Sequence, residues 1–293
     1  MVDHLLSEDK NAANVVLLGL IYDKTSSFGK GADKGPEAII ECLNSQIELY
    51  ERHTKWSPAK HLKINPIIHD LGKLEPTEMV KDVSQVISEY IKNKKFVISL
   101  GGEHSVSAGI FEAWSKSSLK DEITILQIDA HLDLRDDDSD YNEKPSRFAH
   151  SCVMKRGVDF GLKLVSVGIR AYADFELENA RKKNVTVFEW PREENRNLIE
   201  DILDSITTPF VYISIDVDGI DPAHMPATGT PVQGGLSWKF TFDLLKEIFE
   251  NKEVVGADIV EVAPVEHEHL TEYGAAQICY FMIASKFKKN TEF

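Results

Sequence analysis

The feature that most limits the fold of this chain is an alternation of short apolar runs with amphipathic stretches. Runs typical of buried strands occupy residues 14–20, 95–100, 123–128, 163–168, 185–189, 210–215 and 254–260. Helix patterns occupy residues 35–40, 76–93, 106–116, 152–158, 197–205, 241–251 and 271–286. Strands that alternate with helices form a parallel sheet covered on both faces. Residues 64–70 are predicted to form an edge strand, because Pro66 would interrupt a central one.

No linker, repeat or low-complexity tract divides the 293 residues, so we predict one domain over residues 1–293. The formal net charge is -15, from 48 acidic and 33 basic residues. Such a charge disfavours binding to nucleic acid or to an anionic membrane and favours a small cationic substrate. No run approaches the ~18 apolar residues of a membrane span, and the first residues lack a signal-peptide pattern, so we expect a cytoplasmic protein. The three cysteines lack CxxC spacing, which argues against disulfides or a thiolate metal site.

The first candidate functional motif follows the apolar run 123–128. Asp129, His131 and Asp133 alternate, and alternate residues of an extended chain point to the same face. Three good metal ligands can therefore converge where this strand ends. Carboxylates mixed with imidazole, without thiolate, favour a harder divalent ion such as manganese over structural zinc.

Two further strand ends carry the same chemistry. Asp216 and Asp218 follow the run 210–215, and His104 follows the run 95–100. A single aspartate pair is usually a turn or helix cap, and a lone histidine is usually structural. Six candidate ligands at the ends of parallel strands instead favour two metal ions with bridging carboxylates. The four aspartates would balance the charge of two divalent cations.

These motifs resemble those of the ureohydrolase family of arginase, agmatinase and their relatives. The matching segments are GGEHS at 101–105, DAHLD at 129–133, SIDVDGIDP at 214–222 and DIVEVAP at 258–264. The resemblance covers nearly the whole chain. It implies a three-layer α/β/α fold with a parallel, about eight-stranded sheet, two Mn²⁺ ions held by the six ligands, and a homo-oligomer, typically a trimer or hexamer.

The resemblance also implies the reaction, hydrolysis of a guanidinium to urea and an amine. Glu261 would anchor the guanidinium through a charge-assisted pair. His150 would protonate the leaving amine, and Asp133 would hold the nucleophile in line. If the two residues do not have these catalytic roles, Glu261 is expected to be a salt-bridged carboxylate at a sheet end and His150 a solvated loop histidine.

The substrate prediction rests on the acidic loop at 135–143. Arg135 and Asp136, at its start, are predicted to contact the substrate together with Glu261 and His150. An acidic loop would repel a carboxylate and favour a second cation on the substrate, which predicts agmatine, hydrolysed to putrescine and urea. Arginine and guanidinobutyrate stay as alternatives, because Arg135 or Arg147 could bind a carboxylate. The segment 265–268 also departs from the family pattern.

Two interpretations from other classes remain open. A zinc-dependent deacetylase of related fold would need one metal ion and about three protein ligands. His104, Asp133 and Asp218 exceed that requirement. A non-catalytic relative would be expected to have lost ligands, whereas this chain retains all six. Counting bound metal ions would separate these interpretations.

Overall fold

The computed structural model describes residues 13–288, and its centre is one eight-stranded sheet. The strands are β1 (Val15–Ile21), β2 (Ile64–Asp70), β3 (Phe96–Gly101), β4 (Ile123–Ile128), β5 (Lys163–Ile169), β6 (Thr186–Glu189), β7 (Phe210–Asp216) and β8 (Glu253–Val260). Their order is β2-β1-β3-β8-β7-β4-β5-β6, and every pairing is parallel. The sheet confirms the predicted fold class. Pro66, which has no N–H, lies on the edge strand β2, as predicted.

Within the described residues, eight α-helices cover the two faces of the sheet. They are α1 (Gly35–Ser45), α2 (Pro76–Lys92), α3 (Ser107–Ser115), α4 (Val153–Asp159), α5 (Asp174–Lys182), α6 (Arg196–Ser205), α7 (Trp238–Asn251) and α8 (Leu270–Lys288). Helices α1, α6, α7 and α8 contribute to the apolar core on one face, and α2 to α5 contribute to the core on the other. The six inner strands bury apolar side chains on both faces, which explains their continuous apolar sequences, whereas the edge strands β2 and β6 are partly exposed.

Helix boundaries follow the capping chemistry of the sequence. The Ser237 hydroxyl accepts a hydrogen bond from the Phe240 N–H, so α7 begins at Trp238, three residues before the predicted start. The Asn195 side chain caps α6 in the same way, accepting from the Leu198 N–H. Helix α5 was not predicted, because its buried residues include only one apolar side chain, Ala180.

Within residues 13–288, no helix is long and apolar enough to cross a membrane. The three cysteines are free thiols; Cys152 and Cys279 are buried and Cys42 is half-buried. Burial raises the pKa of the Cys152 thiol to about 12, which keeps it protonated and unreactive at neutral pH. The cysteines are therefore packing residues, in agreement with the absence of a CxxC spacing.

Candidate metal centre and substrate cavity

The candidate site is built by four neighbouring strands in the middle of the sheet. Strands β3, β8, β7 and β4 lie side by side, and a candidate functional group follows the end of each. His104 follows β3, Glu261 follows β8, and Asp218 follows β7. Asp129 follows β4 directly. Parallel strands end at the same edge of the sheet, so residues that are far apart in the sequence meet there.

His104 lies at the centre of a group of carboxylates. Its side chain is buried, and Nδ1 lies 3.3 Å from Asp129 Oδ2, 3.2 Å from Asp133 Oδ2 and 3.5 Å from Asp216 Oδ2. None of these contacts has hydrogen-bond geometry, so Nδ1 has no hydrogen-bond partner among the described residues. A buried, unpaired nitrogen among three carboxylate oxygens is what a metal ligand requires.

The opposite nitrogen of the His104 ring fixes its tautomer. The Ser214 hydroxyl donates to Asp258 Oδ1 at 2.7 Å, and its oxygen lies 3.0 Å from His104 Nε2. Since the hydroxyl proton is directed to Asp258, the serine oxygen accepts from an Nε2–H. In the neutral ring, the Nδ1 lone pair then faces the carboxylates. Metal-binding histidines are commonly oriented in this way by a partner on the other nitrogen.

A second group of ligands adjoins the first. His131 Nδ1 lies 3.0 Å from Asp218 Oδ2 and 3.6 Å from Asp129 Oδ1. One ligand atom from each of Asp129, His131 and Asp218 lies within 4.8 Å of the others, and the same holds for His104, Asp129 and Asp216. Asp129 belongs to both groups, so its carboxylate would contribute to the binding of both ions.

The electrostatics of the cluster show an excess of buried negative charge. Burial raises the pKa of the Asp133 carboxyl to about 6, and Asp129 adds to this effect. Burial, with the charges of Asp218 and Asp129, raises the pKa of Asp216 well above its usual value. Burial opposes protonation of His104, yet the carboxylates raise its pKa well above the usual histidine value. Divalent cations would neutralise this charge, so the residues fit a metal centre.

Hydrogen bonds hold the shared aspartate in place. Asp129 Oδ1 accepts from the His131 N–H at 2.6 Å, and Oδ2 accepts from Gln127 Nε2 at 2.8 Å. The Ser166 hydroxyl in turn donates to Gln127 Oε1 at 2.6 Å. Sequence reasoning missed Gln127, which was treated as part of an apolar strand. Its polar side chain within that strand was the available signal.

Two glycines permit the close backbone contacts that form the site. A Cβ at Gly219 would lie 2.5 Å from the Asp129 nitrogen, so only glycine lets the turn after β7 pack against Asp129. A Cβ at Gly102 would lie 2.0 Å from the Tyr22 carbonyl oxygen. Gly102 also accepts a backbone hydrogen bond from Glu261 at 2.8 Å, which ties the end of β8 to the turn that carries His104.

Two of the predicted site residues have left-handed backbone conformations. Asp133 has φ 52° and Glu261 has φ 64°. Such angles are uncommon outside glycine and are concentrated at functional sites. Glu261 is almost fully buried, and its Oε1 accepts a hydrogen bond from the His104 N–H at 2.8 Å. The Glu261 carboxylate is therefore fixed beside the metal-ligand cluster.

His150 lies against Glu261 and a further buried acid. Its ring nitrogen Nδ1 is 3.7 Å from Glu261 Oε1. The backbone N–H of His150 donates to Thr25 Oγ1 at 3.0 Å. Thr25 in turn donates to Glu103, which is fully buried. Burial lowers the pKa of His150, but Glu261, Glu103 and Asp133 raise it to about 9. Sequence reasoning missed Glu103, whose pKa is raised to about 7 by burial.

A cavity of about 520 Å³ opens beside the cluster. Residues that line it include His131, Asp133, His150, Asp216, Arg135, Tyr141, Tyr172, Glu176 and Thr230. Glu176, on the unpredicted helix α5, is buried and accepts from the Leu134 and Ala173 N–H groups. The cavity therefore connects the candidate ligands with the acidic loop, whose first residues were predicted to contact the substrate.

The structure separates the charged residues of that loop. Arg135 lines the cavity, but its guanidinium contacts Asp140 and lies 3.8 Å from Glu176. Asp136 is not among the lining residues; its exposed carboxylate lies 3.0 Å from Lys155 Nζ. Arg147 is also outside the lining and mostly exposed. Of the two residues predicted to contact the substrate from this loop, the structure brings only Arg135 to the cavity.

Comparison with known proteins agrees with this geometry. The arginase family profile matches residues 13–284. An N(1)-aminopropylagmatine ureohydrolase of Synechocystis is 36% identical over 275 residues, covering 92% of this chain and 87% of that protein. An agmatinase of Pyrococcus horikoshii is 31% identical over 284 residues, covering 94% and 93%. The crystal structure of the agmatine ureohydrolase of Thermoplasma volcanium superposes with a TM-score of 0.83 at 27% identity, covering 99% and 95%.

The fold and the side-chain cluster define a parallel α/β protein with a candidate metal centre at its strand ends. The chain belongs to the arginase family and is a hydrolase of that family. The family predicted from the motifs is thereby confirmed.

Proposed function

We propose that this hydrolase cleaves the guanidinium group of a linear guanidino amine to urea and an amine, with agmatine as the substrate and putrescine as the amine product. Two manganese ions would be held by the six clustered side chains, His104, Asp129, His131, Asp133, Asp216 and Asp218. Ions bound there would supply a nucleophile from water near neutral pH and stabilise charge in the transition state. The unpaired His104 Nδ1 and the shared Asp129 support this assignment.

The side chains around the cluster have roles that fit this reaction. The Glu261 carboxylate, which the His104 N–H holds beside the cluster, would bind the substrate guanidinium through charge-assisted hydrogen bonds. It is buried next to His150 and is not itself among the residues that line the cavity. His150, with its pKa raised to about 9, is protonated at neutral pH and can donate a proton to the leaving amine. Asp133 faces the cavity and would orient the attacking water.

The charges of the side chains that line the cavity favour a substrate with a cationic tail. Arg135 is the one arginine or lysine among the described residues that line the cavity, and Asp140 and Glu176 already neutralise its charge. The other cation in the described lining is the protonated His150, which lies 3.7 Å from Glu261 and is assigned to the leaving amine. Neither cation of this lining is therefore unpaired and available for the carboxylate of arginine or guanidinobutyrate. The lining instead offers the aromatic face of Tyr172, which attracts an ammonium group.

The experiment is a comparison of kcat/KM by urea release from the manganese-loaded protein. Agmatine, arginine and 4-guanidinobutyrate are assayed under the same conditions. We expect agmatine to have the highest kcat/KM of the three. A higher value for arginine or guanidinobutyrate would contradict the proposed cationic tail of the substrate. It would still agree with the proposed hydrolysis of a guanidinium group.

A second candidate substrate is N(1)-aminopropylagmatine, the compound in the name of the Synechocystis relative. It has the same guanidinium end and a longer tail with additional positive charge. A cavity of about 520 Å³ that includes Glu176 and Tyr172 leaves room for such a tail. If the extended compound is the substrate, its kcat/KM exceeds that of agmatine, and Tyr172→Ala lowers its value several-fold more than that of agmatine.

A further inference from the structure

A second large cavity lies at the end of the sheet opposite the metal-ligand cluster. Its volume is about 770 Å³. It is enclosed by the C-terminal ends of α2 and α3, the last part of α8, and the first residues of β3, β7 and β8. Because the strands are parallel, their starts and their ends lie at opposite edges of the sheet, so this cavity is separate from the substrate cavity.

The charge of this cavity is opposite to that of the whole chain. Its lining contains five lysines and a single acidic residue, whereas the chain has 48 acidic and 33 basic residues. Lys286 pairs with that acid, Glu253, and Lys116 pairs with Glu112 at 3.0 Å. Lys92, Lys94 and Lys95 have no carboxylate partner in the described part of the chain. Three positive charges are therefore left uncompensated around one cavity.

The remaining wall of the cavity is largely apolar. Phe96, Trp114, Leu119 and Phe210 contribute to the lining. Trp114 is 7% exposed, and its indole N–H has no hydrogen-bond partner in residues 13–288. The cavity thus combines uncompensated ammonium groups with aromatic surface and a buried, unpaired donor.

Favourable placement of cations at helix C-termini accounts for only part of this arrangement. Lys92 and Lys116 lie at or just after the ends of α2 and α3, where they interact favourably with the helix dipoles. That effect does not explain why Lys94 and Lys95, which follow α2, line the same apolar-walled cavity. A ligand that carries negative charge and an apolar ring would satisfy both features.

We propose that this cavity binds a small organic anion in which a phosphate or carboxylate group is joined to an aromatic ring. The anionic group would contact Lys92 and Lys94, because the Lys95 ammonium already donates to the Ala13 carbonyl at 2.7 Å. The ring would pack against Phe96, Phe210 and Trp114. Contacts between ammonium and anionic groups are charge-assisted and stronger than neutral hydrogen bonds. The proposal is independent of the substrate assigned to the metal centre.

Isothermal titration calorimetry of the manganese-loaded protein tests the proposal, with AMP, phenyl phosphate and benzoate as probes. Adenosine serves as the uncharged counterpart of AMP. We expect at least one anion to bind and adenosine to bind more weakly. The double variant Lys92→Ala/Lys94→Ala should weaken the binding of that anion by roughly tenfold or more, because two charged contacts are lost.

The matched control is Lys55→Ala/Lys60→Ala. It removes the same charge from exposed positions outside the cavity, and Lys55 has φ 53°, close to the 52° of Lys94. The control should keep the affinity of the original protein. Equal weakening in both double variants would indicate a general charge effect and overturn the proposal. Absence of binding by every anion, or unchanged binding in Lys92→Ala/Lys94→Ala, would overturn it as well, since anions held at the metal centre would not respond to these lysines.

Discussion

At the scale of single residues, the site depends on pairs that fix one atom of a side chain and leave another free. Ser214 holds one nitrogen of His104 and leaves Nδ1 facing the carboxylates. The His104 N–H holds one oxygen of Glu261 in the same way. Both contacts are made within the protein, so they orient the remaining side-chain atoms toward the site.

The Ser214 and Asp258 pair gives the first prediction. Replacing Ser214 by Ala removes the acceptor that fixes the His104 tautomer, so we expect manganese affinity to fall by about 10- to 100-fold. Asp258→Asn should also lower the affinity for manganese. Equilibrium dialysis with manganese measures the effect. Ser84→Ala, at a buried serine on α2, is the control and should retain full affinity for manganese. Unchanged affinity in both Ser214→Ala and Asp258→Asn would refute the role of the pair.

His150 gives the second prediction. His150→Ala should lower kcat by about 10²- to 10⁴-fold, because the leaving amine loses its proton donor. The variant should still bind both metal ions, since His150 contacts Glu261 rather than the clustered ligands. His61→Ala, at an exposed histidine away from the site, should leave kcat unchanged. Loss of metal from His150→Ala would show that the role assigned to this residue is wrong.

The sequence was informative about the candidate ligands because their alternation at strand ends is a local pattern. Asp129, His131 and Asp133 could be placed on one face without knowledge of the sheet order. The hydrogen-bond partners that orient the ligands could not be predicted in this way. The contact between Ser214 and Asp258 exists because β7 and β8 are neighbours, and that adjacency is a property of the topology.

At the scale of elements, the loop at 136–147 is organised by buried groups. Asp138 is fully buried and accepts hydrogen bonds from the Ser146 N–H at 2.5 Å and from Asn142 Nδ2 at 2.9 Å. Arg156, 2% exposed, donates to the Asp136 and Arg147 carbonyls at 3.1 and 2.9 Å. Arg156 therefore holds both ends of the loop that places Tyr141 at the cavity.

The third prediction concerns this anchor. Arg156→Met should lower the free energy of unfolding by roughly 2–4 kcal/mol, because two carbonyls lose a charged donor. Hydrogen exchange should accelerate within residues 136–147. Arg192→Met, at an exposed arginine, should change stability by no more than about 0.5 kcal/mol. Unchanged exchange in the loop of Arg156→Met would contradict the anchoring role.

The turn at 51–56 gives a prediction on pH. Burial raises the pKa of Glu51, but hydrogen bonds from Thr54 and His53 outweigh this effect and lower it below its usual value. A carboxyl with a lowered pKa stabilises the fold above its unfolded-state pKa of about 4.3 and loses that contribution as pH falls through the folded-state value.

Glu51→Gln should therefore lower the free energy of unfolding by roughly 1–2 kcal/mol at pH 7. The difference from the original protein should shrink as pH falls below about 4.3. Denaturant unfolding of both proteins at a series of pH values measures this difference in the free energy of unfolding. Glu48→Gln, at an exposed acid of the same segment, is the control and should give a small difference at every pH. A Glu51→Gln effect that is constant with pH would refute the assigned cause.

Most elements of the fold could be predicted because their apolar patterns are continuous. The exceptions have physical reasons. Helix α5 buries Glu176 and Ala180 and exposes most of its other side chains, so it lacks an apolar face. Its acidic first turn and basic last turn complement the helix dipole instead. The predicted start of α7 at residue 241 was three residues late, because it did not take into account Ser237 as a capping residue.

At the scale of the whole molecule, the parallel sheet gives the protein two chemically different ends. The strand ends gather carboxylates and histidines, and the strand starts gather lysines around an apolar cavity. The order β3-β8-β7-β4 places two strands from residues 96–128 beside two strands from residues 210–260. The candidate metal centre is therefore a product of topology as much as of local motifs.

The central claim is that six side chains bind two manganese ions. The most direct measurement is the number of manganese ions per chain after equilibrium dialysis, in the original protein and in Asp218→Ala. The account predicts two ions per chain in the original protein, and fewer ions with loss of urea formation in Asp218→Ala. A single tightly bound ion in the original protein, or two ions and full activity in Asp218→Ala, would contradict it.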